Sequence, residues 1–478
     1  MATSSRREGI YKDLMELAWF KRLVKWRGLQ FTLQFIGVLF FGGITYMGLF
    51  GTPIGHANLT STFTWLIWWT LIPVTMLVGG RAWCLVCPWI APAEWLQRLA
   101  FWGKGKHTLS LNLRVPKFMR NFGLMLALFL VMHWADATFH LAFRPETTVY
   151  LALGLFALAM VVSLIFEKRS FCKYFCPIAA VIAPYSLVAP VELRNKDAEV
   201  CRKCKTHDCI KGNEKGYACP VMIYPYAIER NTYCVLCTEC TKTCPHDNIS
   251  INIRRPFNDI FSKGFGFLRS RNITVSLSLI AIVLLGIVPF HNLEMTPAFM
   301  SFERGLVQSL GLAAVIVQTI AFLLMGVIAV LVFRVFSLIA KWRAQTTVYD
   351  GQHIFMWYAL AFIPLGMSLH LAHNYFHILE EGVVIIPNLS DPLGFGWNLF
   401  GTVGLRVTVL PVNLINIAQF FTVGLGLMSA GYCLFRLSLN MFDDRRQAYR
   451  TLAPMLVLLV LLTTFYMWVL TIPMSMRF

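Results

Sequence analysis

Cys234-Val-Leu-Cys237-Thr-Glu-Cys240-Thr-Lys-Thr-Cys244-Pro245 is the stretch on which the reading of this chain turns. Three thiols two residues apart can hold three corners of one iron–sulfur cube from a tight loop. The fourth, three residues on and followed by proline, reaches a second cube. A partner set lies upstream: Cys201-x2-Cys204-x4-Cys209-x9-Cys219-Pro220. Its second and third intervals are longer, but it too ends in Cys-Pro. With the last cysteines exchanged, one [4Fe–4S] cluster takes Cys201, Cys204, Cys209 and Cys244. The other takes Cys234, Cys237, Cys240 and Cys219. A zinc site in the upstream half is the competing reading, since four-cysteine zinc sites share such spacings.

Outward from this insert the chain turns apolar. Of its 478 residues, 57% are hydrophobic and 14% charged, against roughly 25% charged in soluble domains. Runs of about 20 apolar residues suit a hydrocarbon core. They predict nine spans near 29–50, 61–79, 121–142, 147–166, 273–290, 306–335, 354–377, 413–438 and 452–474. The expected fold is thus all-α and membrane-spanning, interrupted by a ferredoxin-like insert that carries two [4Fe–4S] clusters. Residues 1–28 read as a cytoplasmic segment and not a cleavable signal. Residues 29–192 read as a four-helix module, 193–256 as the insert, and 257–478 as a five-helix module.

The net charge of +18 lies between the spans, which points to membrane topology and away from nucleic acid. With residue 1 inside, about 38 of the 42 Lys and Arg fall in cytoplasmic stretches or at the inner ends of spans, and Arg144, Arg304, Arg406 and Arg477 fall outside. The insert is then cytoplasmic and Phe478 periplasmic, in a bacterial inner membrane. Residues 81–120 and 167–272 become basic inner loops, and 378–412 the longest outer loop.

A short internal repeat stands out. One helix pair ends in Arg81-Ala-Trp83-Cys84 and the next in Arg169-Ser-Phe171-Cys172, each followed by Cys-Pro. The resulting pairs, Cys84-x2-Cys87 and Cys172-x3-Cys176, could bind a metal, form a reversible disulfide, or make one further redox centre. Cys433, alone in an apolar span, reads as packing.

Two stripes of polar groups interrupt the spans: His133-x2-Asp136-x3-His140, and His370-x2-His373-x3-His377. Offsets of three and seven put each set on one helical face. Ionisable groups within a membrane usually mark a site. These could hold haem b between two imidazoles, bind a quinol head group with His133 and Asp136 taking its protons, bind copper, or hydrogen-bond between helices. His56 and His291 fall in short outer loops and read as solvated.

Two Cys-x(2–3)-Cys-Pro pairs at helix ends, followed by two cluster motifs, resemble the polyferredoxin-type membrane proteins of the NapH, NosR and CcoG family, over about residues 29–256. That resemblance implies cytoplasmic clusters and electron transfer between quinol and periplasmic enzymes, or copper handling for oxidase assembly. The first pair has two intervening residues where the family usually has three. The five later spans, with the His370 stripe, lie outside the resemblance. The expected function is a quinone-linked electron-transfer subunit, possessing lipid, quinone and other redox proteins as partners. A copper or other metal reductase, or an anchor subunit of a larger redox complex, are the alternatives.

Overall fold

A computed structural model describes residues 10–98, 109–261, 271–405 and 409–474. Residues 1–9 of the expected N-terminal segment, the parts of the basic loops at 99–108 and 262–270, and Arg406 and Arg477 lie outside the described residues.

Among the described residues, eight helices are long and apolar enough to cross a membrane: Leu29–Phe50, Leu59–Leu85, Pro145–Ile165, Thr274–Glu294, Ala314–Ala344, Gly351–Ser390, Val412–Met441 and Arg445–Thr471. The protein is therefore a multi-pass membrane protein.

Three expected spans differ. The span placed at 121–142 is the helix Gly123–Phe139, only 17 residues long. It stops because His140 turns left-handed, with φ 52°, and Asp136 Oδ1 accepts the Ala142 N–H at 3.0 Å. The span placed at 306–335 starts at Ala314. Before it, Thr296 caps a separate helix, Pro297–Leu310, that ends at left-handed Gly311. The helix expected to end at 377 continues, through a wide π turn at His377–Glu381, to Ser390. The first third of the expected outer loop is therefore helical.

The chain divides into two compact units that cut across the sequence segmentation. The first comprises Met1–Gly43, Thr75–Met125 and Ala152–Ser270. Its centre is a three-stranded antiparallel sheet of β1 (Ile10–Asp13), β2 (Val191–Asn195) and β3 (Ile249–Arg254), ordered β1-β3-β2. Leu193 pairs with Ile251 and Asn195 with Ile249. Their apolar side chains bury with Met15, Val24, Ile228 and Cys240. The segment read as a cytoplasmic N-terminal stretch therefore supplies an edge strand and, through Met15 and Val24, part of the insert's core. Beyond the sheet, Arg254 pairs with Glu192 at 2.8 Å and with Asp259 at 2.7 Å, all three buried.

The second unit comprises Ile44–Val74, Leu126–Leu151 and Arg271–Phe478. Gly351–Ser390 is apolar on every side and lies at its centre, buried throughout its most apolar stretch, as expected of a helix surrounded by other helices. Small residues let its neighbours approach: a Cβ added at Gly426 would sit 1.9 Å from Ser368 Oγ. Polar groups inside find partners, as a dry interior requires. Tyr358 and Ser438 hydroxyls meet at 2.6 Å, Tyr466 donates to Leu285 O at 2.7 Å, and Gln419 donates to Ala372 O at 2.8 Å. Cys433 is fully buried in this packing.

Candidate functional site

The eight insert cysteines line two cavities. Cys201, Cys204, Cys209 and Cys244 line one. Cys219, Cys234, Cys237 and Cys240 line the other. Local backbone turns produce this. Left-handed Leu236 and Thr238 curl the chain between Cys234 and Cys240, and the short helix Glu239–Thr243 then carries Cys240 inward. Left-handed His207 does the same before Cys209. Asn248 donates its backbone N–H to Cys244 Sγ at 3.4 Å and its amide to Cys201 Sγ at 3.2 Å. Such N–H···S bonds stabilise thiolate charge on a cluster.

Burial pushes the Cys209 and Cys234 thiols up to about 11, with neighbouring thiols adding to it at Cys209. Gathered thiolates without a cation would repel, so the donor sets fit a group that brings positive charge. Among the described residues, no three His, Cys, Asp or Glu side chains converge on a single-ion position. The thiols are spread around cavities, which suits the corners of a cube better than one zinc or copper ion.

The third thiol set is held by two buried arginines from the repeat. Arg81 Nη2 donates to Cys172 O at 3.1 Å, and Arg169 Nη1 donates to Cys84 O at 3.1 Å. Each repeat's arginine thus binds the other repeat's first cysteine. Arg81 Nη2 also lies 3.9 Å from Cys84 Sγ. Cys87 is pushed up to about 11 by burial and by Cys84, and Cys176 to about 12 by burial and by Cys87; the four thiols thus lie within electrostatic reach of one another. Cys172 sits in a second π turn, Phe171–Phe175. The same arginines bind the insert: Arg81 Nη1 donates to Thr232 O at 2.5 Å, and the Arg169 N–H to Pro220 O at 3.1 Å. In the chain, Pro220 follows Cys219 and Thr232 lies two residues before Cys234.

Glu94 anchors Arg169 at 2.6 Å and Arg98 at 2.5 Å, and accepts from Gln30 and Gln34. Burial opposes its charge, yet Arg169 and Arg98 prevail and hold it at about 2. Glu94 carried no motif, and only its place four residues before Arg98 could have marked it.

The histidine stripes are only partly brought together. His373 and His377 meet Nε2 to Nε2 at 3.2 Å. The His291 ring lies 5.3 Å from His373 and 5.8 Å from His133. Trp69 packs on both His133 and His370, at 5.6 and 6.1 Å. Asp136, expected to take a quinol proton, accepts the Ala142 N–H with one carboxylate oxygen. His140 stands at that turn against Phe143. His291, read as solvated, is a half-buried member of the cluster, with Nδ1 bonded to Glu294; His56 is exposed. Glu294 and Glu381 were missed because each lies at the end of an apolar run, where a carboxylate reads as an interfacial residue.

A membrane protein with buried thiol cavities of this form is an iron–sulfur protein by class. The family of 4Fe-4S binding domains named Fer4_5 matches residues 61–109 and 148–189, the segments that hold Cys84, Cys87, Cys172 and Cys176. The chain is 22% identical to the ferredoxin-type protein NapH of Escherichia coli (strain K12) over 222 residues, covering 42% of this chain and 71% of that protein. It is 25% identical over 199 residues to an uncharacterized protein of Methanocaldococcus jannaschii, covering 38% of this chain and 76% of that one. No solved structure matches. Together with the motifs, these matches support an iron–sulfur electron-transfer protein of the membrane that is similar to NapH-like polyferredoxin proteins.

Proposed function

We propose that the protein links the quinone pool to a redox partner through two [4Fe–4S] clusters in the insert, with the four Cys-Pro thiols as a further redox centre. The observation that carries this is the double attachment of Arg81 and Arg169. Each binds the backbone of the Cys-Pro set and the backbone beside Cys219 or Cys234. These hydrogen bonds tie the Cys-Pro loops to the segments that carry Cys219 and Cys234, which supports the two sets as successive electron carriers.

Cys201, Cys204, Cys209 and Cys244 would hold one cluster, and Cys219, Cys234, Cys237 and Cys240 the other. Bound there, the clusters supply one-electron redox capacity. The chain's own residues fix their spacing, exclude water and set the charge around the sulfurs, with Asn248 donating to two of them and Arg81 facing Cys84. The asymmetry of Lys and Arg supports an inner-membrane placement with the insert in the cytoplasm. Quinone would meet the histidine-rich unit, where half-buried His133 and buried His370 and His373 would supply proton acceptors.

The test is an anaerobic optical spectrum of the oxidised protein before and after a short-chain quinol. Bleaching of the broad iron–sulfur absorption supports the reading. Bleaching by dithionite but not by quinol removes the quinone link and favours electrons that enter from a soluble donor.

A further inference from the structure

Glu381, His377 and His373 form a line of hydrogen bonds whose proton count does not close with neutral rings. Asn292 Nδ2 donates to Val288 O at 3.0 Å, which leaves Asn292 Oδ1 as the acceptor facing His373 Nδ1 at 2.8 Å. His373 must therefore carry its proton on Nδ1. His377 Nε2 faces His373 Nε2 at 3.2 Å, and His377 Nδ1 faces Glu381 Oε2 at 2.6 Å. Three contacts need three protons. Two neutral imidazoles and a carboxylate bring two. With only those two, one contact sets lone pair against lone pair, and the buried trio carries a net negative charge. One added proton completes every bond and makes the trio neutral, which a low-dielectric interior favours on both counts.

His373, His377 and Glu381 are all more than nine-tenths buried, and the π turn at His377–Glu381 brings the last two together. The groups around them come from every packed element. His291 and Glu294 lie on Thr274–Glu294, His133 on Gly123–Phe139, His370 one turn earlier on the same helix, and Glu380 beside Glu381. Glu303, on Pro297–Leu310, faces Glu294. Glu294 in turn holds His291 Nδ1 and accepts from Gln318 at 2.9 Å. A second carboxylate–imidazole pair thus stands next to His373.

We propose that Glu381–His377–His373 is a proton-loading site, which binds one proton and hands it along the line. In the hand-over, the His377 Nδ1–H bond breaks as a Glu381 O–H bond forms, and the proton shared between the two Nε2 atoms stays on His377. Charge and proton number balance within the trio. Coupling to quinol oxidation, which releases two protons, rests on the function proposed above; the binding of the proton does not.

The test is infrared difference spectroscopy of the full-length protein in lipid nanodiscs, taken across a pH titration in H2O and D2O. The expected result is a protonated-carboxyl band or a shared-proton imidazole band that shifts in D2O. It is lost in Glu381→Gln and altered in His377→Gln, with iron–sulfur absorption kept in both as the check on folding. His373→Gln, at the other end of the line, should alter the same band. A band untouched by all three substitutions overturns the proposal. So does its replacement by tight binding of added Zn²⁺ at equal stoichiometry, which would make the pair a metal site. Quinol-driven bleaching in Glu381→Gln should slow by about 100-fold, the lower end of a lost proton acceptor's effect. Absent quinol bleaching with the infrared band present sinks only the quinone link; quinol bleaching without the band sinks only the proton site.

Discussion

Arg81 and Arg169 are exchanged between the two halves of the internal repeat: each guanidinium donates at 3.1 Å to the backbone carbonyl of the other half's first cysteine, Cys172 or Cys84. Both arginines are about 1% exposed. A buried guanidinium is costly unless its donors and charge are answered; here carbonyls of the Cys-Pro loops accept from both, and Glu94 pairs with Arg169. Two hairpins of like sequence are tied to each other through this exchange.

Arg169→Met leaves Glu94 buried with Arg98 alone as its cationic partner. Removing one member of a buried pair costs about 3–5 kcal/mol, so the variant should unfold at markedly lower temperature in detergent. The double variant Arg169→Met, Glu94→Gln should lose less than the sum of the two single changes, and thermal melts of all four proteins measure the difference.

Acid should act on the same pair. Glu94 is held at about 2, below its ordinary 4.5. A depressed carboxylate stabilises fully above 4.5, and that contribution is lost as pH falls from 4.5 through about 2. Stability of the wild type should drop across this window more steeply than that of Glu94→Gln, as read from unfolding midpoints at stepped pH.

The exchanged ligand sets make a pairing test. Cys201→Ser and Cys244→Ser should remove the same reduced-cluster signal in electron paramagnetic resonance, although 43 positions separate them in the chain. Cys219→Ser and Cys234→Ser should remove the other. Loss of one signal by Cys244→Ser together with Cys240→Ser, and not with Cys201→Ser, would reverse the pairing.

Helix crossing at Gly426 leaves no room for a side chain, since an added Cβ meets Ser368 Oγ at 1.9 Å. Gly426→Leu should destabilise by about 1–3 kcal/mol or more. Gly424→Ala, two residues away and with nothing within 4 Å, should be close to neutral in the same melts.

At the insert surface, Lys21 and Lys25 both reach Asp247 at 2.6 Å, but all three side chains are more than a third exposed. Solvent screening leaves such pairs little energy. Asp247→Asn should change stability by less than about 1 kcal/mol, with cluster absorption unchanged.

What could be read from the sequence follows from how local the signal is. The thiol spacings and the apolar runs are local, and Leu29–Phe50 forms over the residues its hydropathy marks. The ends of the 121–142 and 306–335 spans were displaced at single backbone positions, left-handed His140 and Gly311, which hydropathy does not sense. The N-terminal strand was hidden because its pairing partner, Ile249–Arg254, lies far along the chain. The histidine stripes were visible, but not their grouping: His291 and Glu294 join from another helix, Asp136 turns to a backbone N–H, and Trp69 takes the space beside His133 and His370. Helical periodicity assigns a face, not a neighbour.

The most direct measurement is iron and acid-labile sulfide per polypeptide in anaerobically purified protein, with spin counting after reduction. The account predicts at least two [4Fe–4S] clusters, about eight iron atoms or more, with both insert signals surviving Ser replacement of Cys84 and Cys172. About four iron atoms or fewer, or loss of both insert signals in that variant, would contradict it.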